Sequence, residues 1–208
     1  MTVPPLHLLP LELVLPALAV FLVVASTPAI LPAVPDVVLV EGGGFHGSGI
    51  VWSRGRVLTA LHVVEEMPSV TVSVAGGGQW AATVVDRDPA LDLALLAVDG
   101  DLGAALPLGA SSELTRGERV ALAGCPGRAC GRGEGTVLEA SRAFAGGRYL
   151  ALAAPVRPGA SGGPVVDARG ALVGVVDLFV RGAGVALAIP VERAAARFPR
   201  ASAARSRQ

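Results

Sequence analysis

From Asp36 onward every apolar run is short and is closed by Gly, Pro, Asp or Ser. Of the 208 residues, 27 are Gly and 16 are Pro. A helix interior loses about 1 kcal/mol per Gly and about 3 kcal/mol per Pro relative to Ala, so this punctuation favours strands joined by turns. Alternation and β-branched content predict strands near 37–40, 48–52, 56–60, 70–74, 80–85 and 93–98. A looser stretch, 100–118, follows. Six more runs lie near 119–123, 134–140, 149–153, 164–166, 172–180 and 185–189. Six and six predict two similar antiparallel β units, about 36–100 and about 117–190. Closing each sheet into a barrel removes its exposed edges. The expected fold class is therefore all-β, two six-stranded antiparallel barrels with a cleft between them. Only VERAAARF (191–198) reads as a helix, and an Arg-rich tail, 199–208, follows it.

Composition removes several functions. Apolar residues make up 52% and charged residues 16%, far from a disordered chain. Lys plus Arg equals Asp plus Glu at 17 each, and a protein that binds nucleic acid through phosphates should be clearly basic. Nucleic acid is not an expected partner. Cys125 and Cys130 flank four residues in GCPGRACGRGEG, which is no zinc spacing, and only three His exist to complete a metal site. No metal and no cofactor is implied. A short disulfide and two free thiols both remain open readings of that pair. Five of the last sixteen residues are Arg, a pattern usual for a solvated end.

Residues 6–34 are almost wholly apolar. From Leu6 to Ala25 the run is twenty residues, enough to cross a bilayer as a helix. Glu12, Pro5, Pro10 and Pro16 weaken such a helix toward its start. A cleaved signal peptide ending near Val23-Val24-Ala25 is the alternative. No Arg precedes Arg54, so basic flanks give no orientation. The expectation is an anchor or signal over 1–25, a Pro-rich linker over 26–35, and a folded part that begins at 36. That places the protein outside the cytoplasm, tethered to the membrane or secreted.

Three islands carry chemistry. His62 comes just after the strand RVLTA, a position that is most often structural. Asp92 lies at the apolar edge of LDLALLAV, where an unpaired carboxylate would be costly and a His N–H is a fitting donor. Taken alone, such an Asp more often caps its turn, and Asp86 and Asp88 also look like turn residues. Ser161 is embedded in Gly159-Ala160-Ser161-Gly162-Gly163-Pro164. A Gly-rich turn lets several backbone N–H groups converge on one point, which an acyl-transfer nucleophile needs for its oxyanion.

The combination exceeds its parts. A Ser hydroxyl is a weak nucleophile without a base. His62 has the chemistry to take its proton and return it to a leaving amine. Asp92 has the chemistry to fix the imidazole tautomer and stabilise the imidazolium. Two of the three fall in the first β unit and Ser161 in the second, so a site in the cleft between barrels is expected.

With GSGIV, LTALHVV, DLALLAV, GASGGPVV and GVALAIP in this order, residues 37 to about 195 resemble a trypsin-like serine protease of the chymotrypsin fold, most closely the bacterial Deg/HtrA type. The resemblance implies a serine endopeptidase acting on polypeptides through an acyl-enzyme. His62 would be its base, Asp92 the orienting acid and Ser161 the nucleophile. The N–H groups of Gly159 and Ser161 would form the oxyanion hole. Pro155, Val156, Val175 and Val176 would line an uncharged specificity pocket, which implies a small or medium aliphatic residue before the scissile bond. Asp177 is nearby, with a direction that sequence does not give. Ala160 departs from the Asp or Asn of relatives, so activation by an ion pair to a freshly cut amino terminus is not expected. A PDZ domain finds no room after Pro190, and homo-oligomers, frequent among relatives, find no specific support. The rival reading is a catalytically silent protease fold that holds peptides. An α/β-hydrolase elbow is rejected, because Ser161 is followed by strand and both partners precede it.

Overall fold

The computed structural model describes residues 37–200 except 68, 75–76 and 181–182. The expected anchor over 1–25, the linker over 26–35 and nearly all of the tail lie outside the described residues. No described helix is long and apolar enough to cross a membrane.

Twelve strands form two closed barrels. The first holds β1 (Val38–Gly42), β2 (Phe45–Ser53), β3 (Arg56–Ala60), β4 (Val70–Val74), β5 (Gln79–Asp88) and β6 (Leu93–Val98). The second holds β7 (Arg119–Gly124), β8 (Gly131–Phe144), β9 (Gly147–Ala153), β10 (Pro164–Val166), β11 (Leu172–Val180) and β12 (Val185–Pro190). Around the first barrel the order is β1-β2-β3-β6-β5-β4, and around the second it is β7-β8-β9-β12-β11-β10, the same path taken twice. This is the chymotrypsin-type arrangement. The largest difference from the sequence reading is β8. It runs from Gly131 through a Gly-rich stretch because β7 supplies ladder partners as far as Gly124↔Gly131.

Each barrel has its own interior. Val38, Val40, Val57, Leu96 and Val72 fill the first, and Val120, Leu122, Leu150, Leu152 and Val176 the second. A further core joins the barrels, with Ile50, Trp52 and Leu58 on one side and Leu172, Val175 and Ile189 on the other. Burying such side chains stabilises by roughly 1.5–3 kcal/mol each, so the two barrels are held as one body with the cleft at their junction.

Two helices matter for the site. The single turn α1 (Leu61–Val64) buries Leu61, Val63 and Val64 and leaves His62 facing outward. The second, α2 (Val191–Arg197), follows β12 and buries Val191 and Ala194. Its Arg197 binds Asp86 of β5 through Nη1 at 2.8 Å and Nη2 at 2.6 Å, and lies 3.1 Å from Asp88 through Nε. Arg200 stacks on Trp52 at 4.3 Å, and Trp52 Nε1 donates to the Phe198 carbonyl at 2.8 Å. Arg197 and Arg200 are therefore not part of a solvated end. They lash the end of the second barrel to the first, and Asp86 is a partner in that contact rather than only a turn residue. Asp88 does both, since its Oδ1 also accepts the Leu91 N–H at 2.9 Å.

Candidate active site

Strand register brings His62 and Asp92 together. β3 and β6 run antiparallel with Ala60 opposite Leu93, so residues just beyond those ends are neighbours across 30 positions of sequence. The Leu61 N–H donates to the Asp92 carbonyl at 2.8 Å, and the His62 N–H donates to Asp92 Oδ1 at 2.9 Å. His62 Nδ1 is hydrogen-bonded to Asp92 Oδ2. A donor at Nδ1 leaves Nε2 as the basic nitrogen, which is the tautomer that proton abstraction needs. Asp92 sits at φ 52°, a left-handed conformation that Asp accepts because its short side chain bonds locally.

The electrostatics match this pairing. The hydrogen bond from Asp92 raises the His62 pKa above its ordinary 6.5, against a smaller opposing effect of burial. Burial pushes the Asp92 carboxyl up, but the hydrogen bonds and charge of His62 outweigh it and hold the group below its ordinary value. An imidazolium formed during turnover would thus be stabilised where it forms.

Ser161 arrives from the other barrel on the turn before β10. The Gly162 N–H donates to the Val176 carbonyl at 2.7 Å, and the Val176 N–H donates to Gly163 at 2.8 Å. Glycine is required in this turn by both backbone angle and space. Gly162 has φ +86°, and a Cβ there would lie 2.1 Å from the Ser48 carbonyl oxygen. At Gly159, φ is +96° and a Cβ would lie 2.8 Å from His46 Nε2 and 2.9 Å from the Cys125 carbonyl oxygen. Among the described residues, neither the Gly159 nor the Ser161 N–H donates to an acceptor within the fold.

Ser48 of β2 is the stitch between barrels, and sequence reading missed it. It is fully buried. Its N–H donates to the Ser161 carbonyl at 2.8 Å, and its hydroxyl donates to the Gly159 carbonyl at 2.6 Å and accepts the Cys125 N–H at 2.8 Å. Thr59 in turn donates to the Ser48 carbonyl at 2.7 Å. The only signal was a hydroxyl between two glycines inside an otherwise apolar strand. Cys125 and Cys130 are disulfide-bonded, which closes the loop that packs against Gly159.

The Ser161 hydroxyl donates to the main-chain carbonyl of Asp177 at 2.9 Å, and no hydrogen bond joins it to His62. The Asp177 carboxyl is buried at 3% exposure. Atoms of His62, Asp92 and Asp177 all lie within 4.8 Å of one another. Burial, then the hydrogen bond and charge of Asp92, push the Asp177 pKa up to about 7.

The four residues expected around an aliphatic pocket divide. Pro155, Val156 and Val176 line a cavity of about 260 Å³ together with Ala160. Val175 does not, because alternation along β11 turns it into the core between the barrels. Neither His62 nor Ser161 forms a wall of that cavity.

Comparison with known proteins adds to this geometry. A family model described as a trypsin-like peptidase domain matches residues 47–175. A probable periplasmic serine endoprotease, DegP-like, of Pseudomonas fluorescens is 32% identical over 155 residues, covering 70% of this chain and 33% of that protein. The serine protease HTR4 of Rattus norvegicus is 34% identical over 159 residues, covering 71% and 32%. The chain thus spans about a third or less of the length of such curated relatives. Among solved structures, Rv3671c of M. tuberculosis H37Rv in an inactive form superposes with a TM-score of 0.68 at 29% identity, covering 78% of this chain and 84% of that one.

Proposed function

This chain belongs to the trypsin-like peptidase family, with a serine-endopeptidase domain related to the bacterial HtrA/DegP proteases, and from that premise we propose that the protein cleaves polypeptides through His62, Asp92 and Ser161. The observation that carries the proposal is the His62–Asp92 pair, with Nδ1 committed to the carboxylate, set across the cleft from a glycine turn that holds a Ser. In this reading Nε2 of His62 takes the Ser161 proton as Oγ attacks the scissile carbonyl. The N–H groups of Gly159 and Ser161 receive the oxyanion, and the imidazolium protonates the leaving amine. The acyl-enzyme then yields to water by the same base. Engagement requires the Ser161 hydroxyl to leave the Asp177 carbonyl for Nε2.

The proposed setting is outside the cytoplasm. The DegP-like relatives are named as periplasmic, the Cys125–Cys130 disulfide suits an oxidising compartment, and the apolar run from Leu6 to Ala25 has the length of an export or anchor segment. Substrate specificity is proposed to be aliphatic, from Val156 and Val176, although the cavity that they line also has the charged Arg132, Glu134 and Arg157 on its walls. A peptide library cut after Val and not after Arg supports this; a strong Arg preference rejects it.

A fluorophosphonate probe tests the activity itself. Labelling of the full chain, lost in Ser161→Ala, is the expected result. The competing reading, a silent peptide-binding module, draws on the Ser161 hydroxyl resting on Asp177 instead of His62. Absence of labelling and of peptide turnover in well-folded protein would favour that module.

A further inference from the structure

The cavity beside Ala160 has an apolar floor and a charged mouth. Leu122, Ala154 and Val176 line it and are buried. Arg132, Glu134 and Arg157 line it and are exposed. Gly131 and Gly133 flank Arg132, and a Cβ at either would meet nothing within 4 Å, so β8 leaves the mouth open there. The three charges are not equivalent. Glu134 is ion-paired with Arg119 of β7, its diagonal neighbour across the β7–β8 ladder. Among the described residues no carboxylate is paired with Arg132 or with Arg157. The mouth therefore presents two guanidinium groups without a counter-charge above an apolar floor.

A ligand that suits both parts joins an apolar group to a carboxylate, because the guanidinium fork matches a carboxylate in bidentate fashion. Which part enters first is decided by desolvation. A carboxylate carried to the floor would lose its water among Leu122, Ala154 and Val176. That argues against the side chain of a Glu, whose charge sits at its far end. In the last residue of a polypeptide the side chain and the charge leave the same carbon. The side chain then fills the floor while the carboxylate stays at the mouth. The cavity holds about 260 Å³, below the roughly 300–1,000 Å³ usual for drug-sized ligands, which suits one residue rather than a bulky cofactor.

We propose that this cavity binds the carboxy-terminal residue of a polypeptide, with an aliphatic side chain on the floor and the free α-carboxylate held by Arg132 and Arg157. The source of such an end rests on the peptidase reading given above. Cleavage after an aliphatic residue leaves an amino-terminal fragment of this class: water adds to the acyl carbon, Ser161 leaves with a proton, and the fragment keeps a new carboxylate. Neither His62 nor Ser161 forms a wall of the cavity, so the end is held beside the reacting atoms and not on them. Arg157 and Ala160 belong to the turn that carries Ser161, and the Ala160 N–H donates to the Arg157 carbonyl at 3.1 Å. While bound, the fragment occupies the floor at Val156 and Val176 that the side chain of the next substrate needs.

The test is peptide binding to the full chain carrying Ser161→Ala, which leaves no nucleophile to consume the probe. A short fluorescent peptide ending in Val with a free carboxylate is titrated by anisotropy. Beside it run the same peptide ending in an amide and an amide-ended peptide with Glu in place of that Val. The free acid should bind at least about tenfold more tightly than either amide. Arg132→Gln and Arg157→Gln, added singly, should each weaken the acid by about three- to tenfold and leave the amides unchanged, which also shows that the variants are folded. The double variant should bind acid and amide alike. Equal binding of acid and amide to the Ser161→Ala protein, or no binding of the acid, overturns the proposal. A preference for the acid that survives in the double variant overturns it too, because the carboxylate is then held by the Gly159 and Ser161 N–H groups. Tighter binding of the Glu peptide overturns the assignment to a chain end. Fluorophosphonate labelling of the wild type is a separate reading: if it fails while the acid still binds through both Arg residues, the peptidase reading has failed and the carboxylate site stands.

Discussion

The Ser161 hydroxyl lies 2.9 Å from the main-chain carbonyl oxygen of Asp177, to which it donates, while a carboxyl oxygen of Asp177 lies within 4.8 Å of one of Asp92. One residue of β11 thus lies beside both ends of the proposed relay. Neither placement follows from regular strand geometry, and both follow from the bulge between Val176 and Leu178.

If Ser161 is the nucleophile, Ser161→Ala and His62→Ala should each lower kcat by at least about 10⁴-fold with little change in KM, because both interactions arise only as the bond is made. Asp92→Asn should cost about as much by reversing the preferred tautomer of His62. The double variant Ser161→Ala/His62→Ala should be scarcely worse than either single one. Steady-state kinetics on one peptide decides this, and additive losses would argue against a relay.

Ser48→Ala removes a buried hydroxyl that joins Cys125 to Gly159. The Cys125 N–H and the Gly159 carbonyl are then left without that partner, at about 1–3 kcal/mol each. Urea denaturation should show a loss of roughly 2–6 kcal/mol, and fluorophosphonate labelling should slow because the Gly159–Ser161 turn loosens. Wild-type stability with wild-type labelling would remove Ser48 from this role.

Asp177 carries a pH dependence of stability. Its folded pKa, about 7, lies above the 3.8 of the exposed group, so the folded state holds the proton more tightly. The stabilisation is complete below the unfolded value, falls as pH rises toward 7, and is gone above it. Between pH 4 and 8 the wild type should lose on the order of a few kcal/mol relative to Asp177→Asn. Parallel pH–Tm curves for the two proteins would contradict this.

The Cys125–Cys130 disulfide closes a loop with a sequence separation of 5. Loop-closure entropy for so short a ring predicts a contribution of about 2 kcal/mol. Replacing both residues by Ser should lower denaturant stability by that amount and weaken substrate turnover, since the loop backs Gly159. The comparison of midpoints with and without reductant checks the first part.

Much of this was legible in the chain. Short apolar runs closed by Gly, Pro, Asp or Ser marked the twelve strands, although β8 continues through Gly131, Gly133 and Gly135 because β7 lies beside it as a ladder partner. The glycines around Ser161 announced a turn that no side chain would permit. Positions of His62 and Asp92 were readable for the same local reason: each stands where an apolar strand stops and a polar group begins. What local pattern does not contain is contact across sequence distance. The pairing of His62 with Asp92 depends on Ala60 meeting Leu93, the stitch through Ser48 depends on one barrel seating against the other, and the packing of Arg197 and Arg200 depends on where α2 lands. The direction of Val175 and Asp177 depends on strand alternation and on one inserted residue in β11. Sequence by itself determined which groups are available and where the chain turns, since propensity and sterics act over a few residues. Only the tertiary structure decided which of those groups meet, since register, bulges and the fit between barrels are set by the whole core at once.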